Sequence, residues 1–147
     1  MREGSLGEYL QNTKHTFDVI FLMDVIEHLE KQEVVDLLDM ARSVLADNGK
    51  LILHLPNAEG LFGMRVRYGD FTHQVCFTPQ SIRQVLLATG YKCVEVYEDK
   101  PLVHGIKSMI RRFLWSLLTA RERLLLIAET GSGGHILSQN MLVVTYK

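Results

Sequence analysis

Asp24, Glu27 and His28 form an acidic-x-x-Glu-His string whose outer groups stand three and four residues apart. If that turn is helical, the side chains share one face. Two carboxylates and an imidazole together suit a dication such as Mg2+ or Mn2+. Such an ion would acidify a hydroxyl that is otherwise a poor nucleophile at neutral pH. His73 is a second candidate, because an imidazole with an ordinary pKa near ~6.5 can take a proton close to neutrality. Asp70, Arg65 and Arg67 precede it in the same segment and could hold a substrate's hydroxyls or phosphate, with solvated loop charges as the plainer alternative. For Glu27 and His28 the alternative is capping of the next helix, and for His73 it is ordering of its own loop.

The elements around these residues set where they stand. Phe17 to Met23 is a short apolar run that suits a strand buried on both faces of a parallel sheet. Asp24, Glu27 and His28 follow it directly, at the carboxyl end where open α/β sheets bind ligands. Val34, Leu37, Leu38, Ala41, Val44 and Leu45 then recur at helical spacing between Glu30 and Ala46, with Asn48-Gly49 as a left-handed stop. Lys50 to His54 is a second strand, so the order is strand, helix, strand, the right-handed crossover of a parallel sheet.

Ala58 to Cys76 shows no clean period and includes Gly60, Gly63 and Gly69, so it reads as a long functional loop. Thr78-Pro79 opens a helix that Gly90 ends. Tyr91 to Tyr97 alternates as a strand. Ile106 to Leu118 carries apolar residues at helical spacing, with Lys107, Arg111 and Arg112 on its polar side, and Ala120 to Glu129 forms a second helical stretch. The last strand is Asn140 to Tyr146. The intervening GSGG precedes a strand and not a helix, which marks a flexible turn and not a phosphate loop.

A chain of 147 residues, 47% hydrophobic and 22% charged, is long enough to bury one core, and one domain over residues 1–147 is expected. A formal charge of −1 gives no global field for nucleic acid. Two cysteines, Cys76 and Cys93, exclude a disulfide framework and a four-thiolate zinc site, and both are expected as buried thiols. No start resembling a signal peptide and no run long enough to span a bilayer is present, which points to the cytoplasm.

FDVIFLMDVIEHL, NGKLILHLPN and GDFTHQVCFTPQSIRQVLLATGY, in that order, resemble the second half of class I, Rossmann-like S-adenosylmethionine-dependent methyltransferases over roughly Gly4 to Tyr97. The pattern is closest to small-molecule and saccharide O-methyltransferases linked with envelope polysaccharide synthesis. The resemblance implies an α/β fold: a partial Rossmann-like sheet of parallel strands with a C-terminal antiparallel pair and helices on both faces. It makes Phe17 to Met23 the family's fourth strand and Lys50 to His54 its fifth, with Gly4 to Leu10 following the third. The family's first strand, its glycine-rich turn and its ribose-binding acid have no counterpart here. S-adenosylmethionine would therefore find partial contacts only, from Ser5 and Leu6 beside adenine and from Met23 and Asp24 beneath the methionine portion.

A similar element with a downstream histidine occurs in small-RNA 2'-O-methyltransferases, and a like one holds metal in ubiquinone-pathway enzymes. Carried over, it makes Asp24, Glu27, His28 and His73 the metal set, with Asp24 where those families have glutamate. The first implied activity is methyl transfer to a hydroxyl of a saccharide or small metabolite, with His73 and Asp70 at the acceptor. Its rivals are a non-catalytic module that pairs through its sheet edge and a metal-dependent RNA 2'-O-methyltransferase, the latter opposed by the neutral charge. Without the first strand, the Asp18 to Met23 edge is unpaired, which calls for a homodimer or a supplying N-terminal half. Lys107, Arg111, Arg112 and Trp115 allow peripheral membrane contact. A helix packed on the core or in a dimer interface is the favoured account of them.

Overall fold

The computed structural model describes residues 6–147. Its elements are α1 (Leu6–Asn12), β1 (Phe17–Met23), a single 3-10 turn (Ile26–His28), α2 (Lys31–Val44), β2 (Leu45–Pro56), α3 (Gly63–Gly69), α4 (Pro79–Ala88), β3 (Lys92–Glu98), α5 (Ile106–Thr130) and β4 (Asn140–Tyr146). The strands form one sheet in the order β1-β2-β4-β3. β1 and β2 are parallel, while β4 runs antiparallel to both its neighbours. This is the mixed α/β arrangement expected from the sequence, with β1 at the open edge.

Local sequence accounts for the ends of the helices on the sheet. The Glu33 carboxylate accepts from the Glu30 N–H at 2.8 Å and opens α2. At α4 the Thr78 hydroxyl accepts from the Ser81 N–H at 3.1 Å, the Ser81 hydroxyl accepts from the Thr78 N–H at 2.9 Å, and Pro79 supplies the first helical residue. Val34, Leu37, Leu38 and Ala41 of α2 and Ile82 and Leu86 of α4 are buried against Leu22, Leu51, Leu53, Met141 and Val143 of the sheet. That single layer of helix on sheet is the core. On the other face Phe21, Met23 and Tyr97 are exposed, so β1, expected to be buried on both faces, is covered on one only, because the core helices α2 and α4 share a single face of the sheet.

Four further details differ from the sequence reading. β2 begins at Leu45, directly after α2, and Phe17 pairs with Leu45 before the register shifts to Val19 with Lys50. Asn48, at φ 65°, is therefore left-handed inside this irregular strand start and does not stop the helix. Gly49 is needed beside it, because a Cβ would meet the Ala46 carbonyl oxygen at 2.9 Å and that of Phe17 at 3.0 Å. The long loop contains α3. Cys93 is exposed and Cys76 half-buried. Cys93 sits at φ 51° in a register shift of the edge strand β3, which removes it from the alternation that would bury it.

The fourth difference is α5. The two expected stretches are one 25-residue helix. At the expected break the Thr119 hydroxyl bonds back to the Trp115 carbonyl at 2.7 Å and the helix continues. The helix does not pack its leucines on the core: Phe113, Leu117 and Leu118 are all exposed.

Candidate active site at the carboxyl ends of the strands

β1 ends at Met23, and the chain turns through Asp24 at φ 52°, whose N–H donates to the His54 carbonyl at 2.9 Å. The tight turn that follows buries Ile26 and Glu27, each 1% exposed, and leaves His28 half-buried at the rim. The Glu27 carbonyl oxygen accepts two backbone bonds from the distant loop, from Gln74 N–H at 2.8 Å and Val75 N–H at 3.1 Å. Those bonds seat His73 beside Glu27. The Arg67 guanidinium braces the same segment by donating to the carbonyls of His73 and Gln74. Arg67 is thus committed to the loop and not to a substrate, while Arg65 is exposed on α3.

Glu27, His28 and His73 offer one ligand atom each within 4.8 Å of one another. The two rings lie 4.8 Å apart between centroids. Burial, first of all, raises the Glu27 pKa, and Asp24 adds to this, while a backbone hydrogen bond and the two histidines oppose it. Among the described residues its Oε2 has no hydrogen-bond partner, although it is buried.

The hydrogen bonds fix which ring nitrogens are free. The Thr72 hydroxyl donates to Asp70 Oδ1 at 2.7 Å, so at its 2.8 Å contact with His28 Nδ1 it must accept. His73 Nδ1 lies 3.2 Å from the Val66 carbonyl, which can only accept. In neutral rings both Nδ1 atoms then carry the proton and both Nε2 atoms keep a lone pair. Two imidazole lone pairs and an unpartnered carboxylate oxygen can hold a proton or a dication. With one carboxylate and two nitrogens, the set fits Mn2+ better than Mg2+, which prefers oxygen throughout.

The other candidates stand elsewhere. The Asp24 carboxylate does not join the cluster; it bonds His54 Nδ1 at 2.8 Å, and His54 Nε2 lies 3.4 Å from Asp99 Oδ2. The left-handed turn at Asp24 breaks the helical phase on which its sharing a face with Glu27 depended. Asp70 serves Thr72, accepting from both its N–H and its hydroxyl, and these bonds hold its pKa low. Asp70 therefore reaches the cluster only through Thr72 and His28. Leu6 lines a cleft of about 340 Å³ between α1 and α2 with Val25 and Leu29, whereas Met23 is exposed at the end of β1. Ser5 lies outside the described residues. Sequence reasoning missed His54, Asp99 and Thr72. Only His54 carried a signal, as a polar residue ending an apolar strand at the ligand-binding rim.

A sheet in this order, with its polar cluster at the carboxyl ends of the parallel strands, defines a Rossmann-like methyltransferase fold. Residues 5–96 match the methyltransferase domain family, and the chain belongs to that family. Among solved structures it is similar to an S-adenosylmethionine-dependent methyltransferase of Archaeoglobus fulgidus, with a TM-score of 0.71 and 16% identity over 99% of this chain and 66% of that one. A second such enzyme, from Thermotoga maritima, gives 0.60 and 12% over 94% and 61%. A phosphoethanolamine N-methyltransferase of Haemonchus contortus in complex with S-adenosylmethionine gives 0.51 and 19% over 89% and 33%. The chain thus spans just under two thirds of the length of the first two. No curated protein matches it.

Proposed function

We propose that this chain forms the acceptor side of an S-adenosylmethionine-dependent O-methyltransferase whose substrate is a saccharide or a small hydroxylated metabolite. The observation that carries the reading is the meeting of Glu27, His28 and His73 at the rim, with both Nε2 atoms free. S-adenosylmethionine, when bound, supplies a methyl carbon on a positively charged sulfur. Transfer would join the acceptor oxygen to that carbon as the carbon–sulfur bond breaks with its electron pair on sulfur. The hydroxyl proton leaves to Nε2 of His73. Positioning by the pinned loop supplies much of the rate. If a divalent cation is used, Glu27, His28 and His73 would hold it and it would lower the pKa of the acceptor hydroxyl, with His73 then a ligand and not the base.

The open edge of β1 supports a further strand at that position. A second copy, or a segment bearing the glycine-rich turn that this sequence lacks, would supply it. The test is transfer of tritium-labelled methyl groups to a panel of saccharides, small alcohols and RNA, using protein that binds S-adenosylhomocysteine in calorimetry. Label is expected in the saccharide or small-alcohol fractions and is expected to fall at least about 100-fold in His73→Ala. Transfer unchanged by His73→Ala, or confined to RNA, overturns the reading.

A further inference from the structure

α5 carries its amphipathic character turned outward. Ile106, Met109, Phe113, Leu117, Leu124 and Ile127 follow one another at intervals of three, four or seven, which places them on one stripe of the helix. All six are exposed, from 44% at Ile127 to 74% at Ile106. The side that faces the body of the protein is largely polar, with Trp115 and Leu126 half-buried among its polar groups. Thr119 is 2% exposed, Arg112 donates to the Pro101 carbonyl at 3.3 Å, and Arg123 grips the Glu98 carboxylate at 2.7 Å and donates to the His135 carbonyl at 2.9 Å. An exposed apolar stripe of this length marks an interaction surface.

Charge separates the occupants. α5 holds five cations and two anions, a net +3, in a chain whose total is −1, so the remainder carries −4. Lys107, Arg111 and Arg121 are exposed to one side of that stripe, interleaved with the exposed Leu114, Leu118 and Leu125. Two copies joined through this stripe would bring two +3 helices together. No helix among the described residues is long and apolar enough to cross a membrane. An apolar stripe bordered by cations, on a helix that does not span, is the pattern of a helix lying in the plane of a bilayer interface.

We propose that α5 docks this protein on membrane surfaces containing anionic lipid, with Phe113 and Leu117 at the centre of the inserted stripe and Lys107, Arg111 and Arg121 at the headgroups. α5 leaves the sheet after Glu98 and the chain returns at Asn140, level with Pro56 on β2. That is the rim that carries Glu27, His28 and His73, although β3, from which α5 departs, lies at the opposite edge of the sheet from β1. The proposal does not depend on methyl transfer and is measured without it.

The test is vesicle flotation of the full chain with phosphatidylcholine alone and with phosphatidylcholine mixed with phosphatidylglycerol. The protein is expected to float at least about tenfold more with the anionic vesicles, and less as salt is raised. Phe113→Glu with Leu117→Glu is expected to abolish flotation. Lys107→Gln with Arg111→Gln leaves the apolar stripe intact and is expected to weaken anionic binding about 30-fold. Circular dichroism confirms that each variant folds. Failure to float with either vesicle overturns the proposal, as does flotation indifferent to both pairs of substitutions. A dimer in size-exclusion chromatography that Phe113→Glu with Leu117→Glu makes monomeric, without flotation of the parent, overturns it in favour of a second copy.

Discussion

α2 and α5 are both amphipathic helices with leucine-rich stripes, yet one turns its stripe into the core and the other into solvent. Leu38 of α2 is 0% exposed and Leu117 of α5 is 58% exposed. The difference lies in what stands opposite each helix. α2 faces the strand β2, whose Leu51, Leu53 and Leu55 point toward it. α5 meets the loop before it, the end of β3 and the chain before β4, where Pro101 and His135 offer carbonyls and Glu98 a carboxylate. Periodicity shows that a helix has an apolar stripe; the opposing surface decides where the stripe turns.

Leu38→Ala should give the largest effect, a loss of about 2–5 kcal/mol in chemical denaturation, because it opens a cavity under α2. Glu98→Gln should come next, at about 1–3 kcal/mol, because it removes the charged clip that receives Arg123, Lys100 and the Leu137 N–H. The same clip has a pH dependence. Burial works to raise the Glu98 pKa, but Lys100, the Leu137 N–H and Arg123 outweigh it and hold the carboxyl below its ordinary value. Its stabilising contribution is therefore complete above the ordinary carboxylate range and is lost as acid titrates the folded form. Trp115, the single tryptophan, lies on α5, and its fluorescence should change through that acid transition in the parent and already differ at neutral pH in Glu98→Gln.

Smaller effects sharpen the contrast further. Thr78→Ala removes the cap of the inward-facing α4 and should cost about 1 kcal/mol. Leu117→Ala should change the stability of the free protein by no more than about 0.5 kcal/mol, since more than half of its surface is exposed. A cost near that of Leu38→Ala would show that α5 is packed after all.

Much of the fold was legible because the strands wrote it locally. FDVIFLM is uninterrupted by polar residues except Asp18, and its limits match β1 at both ends. Thr78 and Pro79 announced α4 through their own chemistry. The site was legible in part. Glu27 and His28 stand together in sequence and His73 was singled out, but their meeting depends on a backbone bridge from Glu27 to Gln74 and Val75, which no side-chain pattern encodes. Asp24 was misassigned because a left-handed residue is not visible in an aspartate. Its partner His54 is 30 residues away and Asp99 a further 45, so that relay exists only once the strands pair.

The doubly bonded carbonyl of Glu27 also governs traffic through the site. With Gln74 and Val75 both fastened to it, the segment bearing His73 cannot swing aside unless two main-chain bonds break at once. An acceptor would have to approach His73 from open solvent at the rim, and whatever borders that approach, lipid or strand, would decide which molecules arrive.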